Sequence, residues 1–519
     1  MSSIALKLNL GQAKFVMIIF MIKTAIIGLL IFSFIELVIW VKSLWAHRKI
    51  FSSIVIFSLP VFNGFLIGSK FNIWTFMILF FSIYRVLNLL RLIEGRTNAD
   101  YLYMVARRTS ILLISWQLMV VGVFLISRNN YSISILFVDS LVFMQSIFIL
   151  ILLFSSLRSF KKTLPNKITK LHSLKDLPSV SVAIPARNES EDLLNCLDSL
   201  LTTNYSKLEI LVLDDCSQKK YTSQVIKTYA QKGVRFIAGK QPPKGWSSKN
   251  YAYQQLLNQA SGDILLFCGV DTRFESDTVQ LLIETLLKRK KSMLSILPVN
   301  KVPKLNNILS VIIQPNRYAW EISIPRRFLN RPPVLSTCWL ITSELIKKSG
   351  EFKAVANSIT PESYFANQAV KDSDGYSFLQ SSDVFNLTSS KLPSEQRATA
   401  IRTRYPQLHR RPELVSLLTL GELIVLLGPF LMLVYSVVGN HSLILIISYI
   451  NSILLCYLFF SFVKLTYQRS LIRGIFLMPL AGLFDICLLN YSMYKYEFSE
   501  VVWKGRNVCL PVMRAQLNK

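Results

Sequence analysis

An α/β domain set between two groups of apolar, membrane-length helices is the architecture this sequence predicts, and three observations predict it. Of its 519 residues 52% are hydrophobic and only 17% charged, too apolar for an ordinary soluble protein. Long apolar runs crowd both ends of the chain. Between them, over residues 158–412, the composition turns polar and short β-type runs alternate with amphipathic helical ones. Three regions follow: 1–157, 158–412 and 413–519.

A bilayer core about 30 Å thick takes about 20 residues of helix to cross. Five runs meet that length before the polar region: 15–41, 51–69, 72–90, 109–127 and 132–157. The first is too long, and lacks the small-residue cleavage site, for a cleaved signal peptide, so it is expected to be an anchor. Apolar runs return at 413–437 and 442–463, and a third, 471–494, is interrupted by Pro479 and Asp485. If the polar domain is cytoplasmic, Lys42, Arg48, Lys49, Arg91, Arg96, Arg107 and Arg108 share its side and only Lys70 and Arg128 fall opposite, the usual positive-inside bias. Lys504, Arg506, Arg514 and Lys519 in the tail suit the same side. Segment 471–494 is therefore expected to be re-entrant or interfacial, with Pro479 as its break and Asp485 kept off lipid.

The net charge of +28 fits basic cytoplasmic loops, and no motif for nucleic acid accompanies it, so no nucleic-acid partner is expected. Seven scattered cysteines, without a CxxC pair or a Cys/His cluster, suggest neither a disulfide framework nor a zinc site. Within the polar region the strands are "SVSVAIP" (179–185), "LEILVLDD" (208–215), "VRFIA" (around 235–238) and "DILLFCG" (263–269). Helical stretches such as "ESEDLLNCLDSLLTT" (189–203) and "SSKNYAYQQLLNQA" (247–260) separate them.

Open α/β sheets bind ligands beyond the carboxyl ends of their strands, so the residues following each strand carry the information. The first strand ends in Pro185, Ala186, Arg187, Asn188 and Glu189. The second ends in Asp214, Asp215 and Ser217, acceptors and a hydroxyl suited to a ribose or a base edge. After the third, "KQPPKGWSSKN" (240–250) puts Lys249 at a helix start, where a phosphate sits well. The fourth runs to Asp271. Each alone reads as a turn or cap; the ordered set suits a nucleotide diphosphate.

These segments carry a family resemblance. "VSVAIPARNES", "EILVLDDCS", "PPKGWSSKN" and "SGDILLFCGVDTRF" resemble the successive signatures of membrane-bound family 2 glycosyltransferases. The nearest branch holds ceramide glucosyltransferase, its hopanoid-associated bacterial relatives and the carotenoid-acid glycosyltransferases. "PESYFANQAV" (361–370) is similar to that branch's Ala-Glu-Asp-Tyr-Phe segment. "MPLAGLFDICLL" and "VVWKGR" (501–506) resemble its C-terminal Pro-to-Asp helix and its Trp-Arg/Lys-Gly-Arg ending. The resemblance spans about residues 178–510 and leaves the first four apolar runs outside it.

It implies a GT-A fold and inverting transfer of a sugar from a nucleotide-sugar donor, a UDP-sugar by expectation, to a membrane lipid or isoprenoid acceptor, with Mg²⁺ or Mn²⁺. Departure of a nucleoside diphosphate builds charge that a divalent cation and basic side chains neutralise, and the acceptor hydroxyl needs a carboxylate to take its proton. The resemblance assigns Pro185, Arg187, Asn188, Glu189, Asp214, Asp215 and Lys249 to the nucleotide-sugar. Three departures matter. The Asp-x-Asp metal motif is Gly269-Val270-Asp271 and keeps only Asp271, one carboxylate that suffices if phosphates and waters complete the shell. The expected aspartate base is Ser363, which leaves Glu362, one residue earlier, as the catalytic candidate. The basic clamp reads "IRTRY" (401–405), where Arg404 and Tyr405 fit, Ile401 does not, and Arg402 can contribute. Trp503, Lys504 and Arg506 suit an acceptor site at the membrane interface, and 305–328 reads as an amphipathic segment lying on the membrane. The competing expectations are a family member that binds donor or lipid without catalysis, and a processive polysaccharide synthase.

Overall fold

The computed structural model describes residues 2–69, 72–94, 99–128, 131–165, 176–189, 191–218, 220–301, 308–323, 331–372, 375–467 and 476–508. Lys70, Arg96, Arg514 and Lys519 lie outside them, as do the two ends of the 305–328 segment and the start of 471–494. The chain forms two compact units. One joins Met1–Phe143, Arg410–Gly421 and Met493–Ser499; the other joins Met144–His409, Glu422–Ser492 and Glu500–Lys519.

The first unit is helical: Ser2–Val38, Arg48–Ser69, Ile73–Glu94 and Ala99–Arg128. Apolar side chains such as Phe20, Phe57 and Met119 remain exposed on these helices, as on a lipid-facing surface. Charged groups turn inward instead, where ion pairs form among them. Arg85 is fully buried and pairs with Glu36 at 2.7 Å, and Arg91 pairs with Glu497 at 2.7 Å. Across the described residues of both units, seven helices are long and apolar enough to cross a membrane.

Helix boundaries differ from the sequence expectation, and the run expected over 15–41 is a helix from Ser2 to Val38. The helix expected over 132–157 runs Tyr131–Thr163, and that expected over 109–127 begins at Ala99, because polar turns extend each apolar run without breaking it. The expected interruption at Pro479 is absent. Met478–Phe498 is one helix with Pro479 in its first turn, where a missing N–H costs nothing. This helix is not among the seven membrane-length ones.

The second unit carries the α/β domain. Its strands are β1 (Val180–Ala186), β2 (Leu208–Asp214), β3 (Val234–Ala238), β4 (Ile264–Cys268), β5 (Thr272–Arg273), β6 (Met293–Leu297), β7 (Val299–Asn300), β8 (Cys338–Thr342), β9 (Tyr376–Gln380), β10 (Thr388–Ser389), β11 (Val502–Trp503) and β12 (Arg506–Asn507). Seven of them form one sheet in the order β3-β2-β1-β4-β8-β6-β9, parallel except that β8 runs against both neighbours. Alternation along β1 buries Val182 and Ile184 with Leu193, Leu197 and Ile226 on one face. Ala183 faces Leu211, Phe267 and Trp339 on the other, where Phe267 and Trp339 stack with ring centroids 4.2 Å apart. The order reverses at β1, with β2 on one side and β4 on the other. The crevice beyond the carboxyl ends of these two strands is therefore where a ligand is expected.

Candidate active site

The turns after β1 and β2 are locked to each other. Asn188 and Cys216 take left-handed backbone conformations, with φ of 51° and 52°. The Asn188 amide donates to Ser217 Oγ at 3.0 Å, the Gln218 amide to Asn188 Oδ1 at 2.9 Å, and the Ser217 amide to Asp214 Oδ1 at 3.0 Å. Asp214 therefore shapes its own turn. Pro185 lies within β1, in register with Leu213, and sets the strand rather than the crevice.

The chain's C-terminal hairpin sits on these turns. β11 and β12 pair antiparallel through a two-residue loop, Lys504-Gly505, whose φ angles of 46° and 80° are the positive pair such a tight loop requires. A lysine there is strained, and its carbonyl and ammonium both hold it in place. Arg187 Nε and Asn188 Nδ2 donate to the Lys504 carbonyl at 2.9 and 3.1 Å, and the Lys504 ammonium pairs with Glu189. Arg506 clasps both carboxylate oxygens of Asp215 at 2.7 Å. Burial lifts the Glu189 and Asp215 carboxyls above their ordinary pKa, against the pull of Lys504 and Arg506 respectively. Lys504 and Arg506 thus pair with the acids of the turns after β1 and β2, where the sequence reading assigned them to a membrane-interface acceptor site. Trp503 stacks under Arg402, 4.8 Å from guanidinium to ring.

A pocket opens beside the hairpin, lined by Ser248, Lys249, Arg402, Trp503, Arg506 and Asn507 among others. Lys249 lies in the first turn of helix Ser248–Gln259, capped by Ser247. A cation there is opposed by the helix dipole, whereas an anion is favoured. Burial lowers the Lys249 pKa, and Glu362 draws it back up. Glu362 stands 3.8 Å from the Lys249 ammonium, in the first turn of helix Pro361–Lys371. It is only 3% exposed, and its Oε2 has no hydrogen-bond partner among the described residues. The buried Ser363 hydroxyl has none either. Two residues distant in sequence are thus brought together with one polar atom left over.

Asp271 lies just beyond β4. Its Oδ2 accepts from Ser389 Oγ at 2.9 Å, and its backbone carbonyl from the Ser390 amide at 2.8 Å. A Cβ on Gly269 would collide with Asp271 Oδ1, so glycine makes room for this carboxylate. Among the described residues no three His, Cys, Asp or Glu side chains gather as a metal cage. Asp271 fits a cation as a single protein ligand, the arrangement in which donor phosphates and water supply the rest. Lys391, on the segment after β10, lies within electrostatic reach of Asp271. Burial lowers its pKa to about 7, Asp271 and Glu395 opposing and Arg317 and Arg402 adding to the fall.

Arg404 and Tyr405 do not join this crevice. Arg404 forms a buried ion pair with Asp485, and Tyr405 is fully buried with its amide donating to Ser492 Oγ at 3.1 Å. Two positions along a helix rotate a side chain by about 200°, so Arg402 and Arg404 leave helix Pro393–Gln407 on opposite faces. Sequence reasoning missed Lys391 and Ser389 because β10 is two residues long and carries no periodic signal.

Residues 181–350, about a third of the chain, match the family model of Glycosyl transferase family 2. The match runs from β1 past β8, and this α/β domain is GT-A-like. The chain is 28% identical over 124 residues to the probable glycosyltransferase YdaM of Bacillus subtilis (strain 168), covering 23% of this chain and 29% of that protein. It is 28% identical over 109 residues to glycosyltransferase GlyA of Streptococcus pneumoniae serotype 4 (strain ATCC BAA-334 / TIGR4), covering 21% and 15%. The matched region thus spans less than a third of either relative. Among solved structures, mannosyltransferase PcManGT from Pyrobaculum calidifontis, in complex with GDP-Man and Mn²⁺, aligns with 14% identity and a TM-score of 0.40 over 69% of this chain and 98% of its own. S. aureus TarS 1-349, in complex with UDP-GlcNAc, aligns with 16% identity and a TM-score of 0.30 over 63% and 95%.

Proposed function

We propose that this chain is a multi-pass membrane glycosyltransferase with its GT-A-like domain on the cytoplasmic face. In this reading it moves a sugar from a UDP-sugar to a hydroxyl of a membrane lipid, with inversion at the anomeric carbon, as in the ceramide glucosyltransferase and hopanoid-associated branch. One observation carries it: the Lys249 ammonium and the buried, partly unpartnered Glu362 carboxylate 3.8 Å apart beside a pocket that Arg402 and Arg506 also line. Inverting displacement needs a positive surround for the leaving diphosphate and a base for the incoming hydroxyl, and here the two adjoin.

The roles divide by position. Arg187 and Asn188 hold the hairpin that walls the pocket. Lys249, Arg402 and Arg506 face the diphosphate, and Lys391 adds a cation near Asp271. Asp271 would hold Mg²⁺ or Mn²⁺, which when bound screens the charge on the departing diphosphate. Glu362 accepts the acceptor's proton through Oε2. The Lys249 ammonium, 3.8 Å away, holds the carboxylate beside the pocket.

The test is transfer by the purified chain in lipid nanodiscs across a panel of UDP-sugars with a total membrane-lipid extract, with Mn²⁺ or with EDTA. Turnover that Asp271→Asn and Glu362→Gln abolish supports the reading. A wild type that binds UDP but turns over no donor sinks it, in favour of a binding protein. That second reading has its own observation, because Glu189 and Asp215 are already engaged by the chain's own Lys504 and Arg506.

A further inference from the structure

Ionisable side chains enclosed among membrane-length helices are costly and mark functional sites more often than not. Three buried ionisable side chains, one of them in a membrane-length span, converge in the second unit. Arg404 comes from Pro393–Gln407, Asp485 from Met478–Phe498, and Glu422 ends Pro412–Glu422. Asp485 is fully engaged: it pairs with Arg404, and Trp320 Nε1 donates to its Oδ2 at 2.8 Å. The Arg404 guanidinium also lies 5.5 Å from the Trp320 ring centre.

What remains is unanswered polarity. Arg404 Nη1 and both carboxylate oxygens of Glu422 are buried without a hydrogen-bond partner among the described residues. Glu422 is 6% exposed and close enough to Arg404 and Asp485 for their charges to interact. A proton shared with Asp485 would engage one Glu422 oxygen and leave the other, together with Arg404 Nη1, still open. Leaving such groups unmet in a packed interior is expensive.

The backbone is shaped at the same place. Directly after Glu422 the helix widens into a π-turn, Leu423–Leu427, a rare element that gathers at functional sites. Gln145 Nε2 donates to the Ile424 carbonyl within it at 3.0 Å. Gly482 lets the neighbouring helix approach so closely that a Cβ would stand 3.3 Å from Leu426 Cβ. Leu480 and Leu483, on the helix of Asp485, are exposed, as are Leu431 and Val434 beyond the π-turn.

We infer that Arg404, Glu422 and Asp485 form a subsite for the uncharged, hydroxyl-bearing headgroup of a membrane amphiphile, the acceptor alcohol. A single alcohol oxygen answers both open groups, accepting from Arg404 Nη1 and donating to Glu422, while the exposed leucines offer its chain an apolar path. Two carboxyls against one guanidinium disfavour a phosphate headgroup, so an alcohol lipid fits and a lipid phosphate does not. The inference deepens the acceptor half of the proposed function and rests on it.

Photo-crosslinking in nanodiscs tests it with three probes of one chain length bearing a diazirine near the head: a 1-O-alkylglycerol, its dimethyl ether and the alkyl phosphate. The glycerol ether should label peptides covering 420–427 and 480–486 at least tenfold more than either analogue. Glu422→Leu should lower that labelling about tenfold while the UDP dissociation constant stays unchanged. Equal labelling by alcohol and dimethyl ether, or preferred labelling by the phosphate, overturns the subsite. The wild-type comparison decides the matter even if the variant does not fold. Because labelling is read instead of turnover, a chain that labels without transferring sugar keeps the subsite and loses the transferase, and one that transfers without labelling there does the reverse.

Discussion

Arg506→Ala removes the cation that clasps Asp215 and one wall of the pocket. The pair is well enclosed, with side chains 14% and 6% exposed, and its two contacts are both 2.7 Å. Breaking a buried pair by deleting one partner costs about 3–5 kcal/mol, and the slight exposure of Arg506 puts this one near the lower figure. At about 1.4 kcal/mol per tenfold, 3 kcal/mol makes the hairpin open roughly a hundredfold more often. The Val508 amide, which donates to the Val501 carbonyl at 2.8 Å, reports that opening directly. Hydrogen exchange at this amide should accelerate by about two orders of magnitude in Arg506→Ala, while exchange in β4 and β8 stays as in wild type.

The same substitution separates two roles for the hairpin. If it completes the donor site, UDP binding weakens at least tenfold, because a pocket cation and its wall are both lost. Asp215→Asn placed on top should recover part of the hairpin's stability, since the unpaired buried charge is gone, without recovering UDP affinity. Unchanged exchange at Val508 would refute the energetic reasoning, and tighter UDP binding would show the hairpin to be a plug over the nucleotide site.

Other consequences are smaller and independent. Glu362→Gln should cut kcat by about two orders of magnitude or more, the range of general-base catalysis, with the UDP dissociation constant within about threefold of wild type. Gly269→Asp restores the sequence of the metal motif but sets a Cβ against Asp271 Oδ1, so transfer should fall and the Mn²⁺ concentration for half-activation should rise. Lys391 has a folded-state pKa of about 7, below the unfolded value near 10.4. Between those pH values the unfolded chain holds a proton that the folded chain lacks, so stability gains with rising pH. Thermal unfolding of the nucleotide-free protein in EDTA should show that rise, and Lys391→Met should flatten it and be the more stable form below pH 7.

Much of the α/β framework was legible because each of its first four strands is a short apolar run that ends in polar residues, and strand ends are where open sheets place chemistry. β6 and β8 were not, since "MLSIL" and "CWLIT" are short, mostly apolar runs that periodicity cannot assign to strand or helix. Asp271 beside Gly269 and Lys249 at a helix start were both visible as residues. Their surroundings were not, because Ser389 and Lys391 reach Asp271, and Glu362 reaches Lys249, from 113 or more positions away in sequence.

The tail's partners were hidden for a physical reason. Tryptophan and basic residues suit a membrane interface by composition alone, and only the pairing of Lys504 with Glu189 and Arg506 with Asp215 ties the tail to the turns after β1 and β2. Arg404 shows the converse. Its motif placed it with the phosphates, yet the structure gives it to Asp485, an aspartate the sequence marked only as something to keep from lipid. The helical rotation between Arg402 and Arg404 assigns one arginine to the pocket and the other to the buried acids. A donor anion and an acceptor alcohol can then be met from the two faces of a single helix.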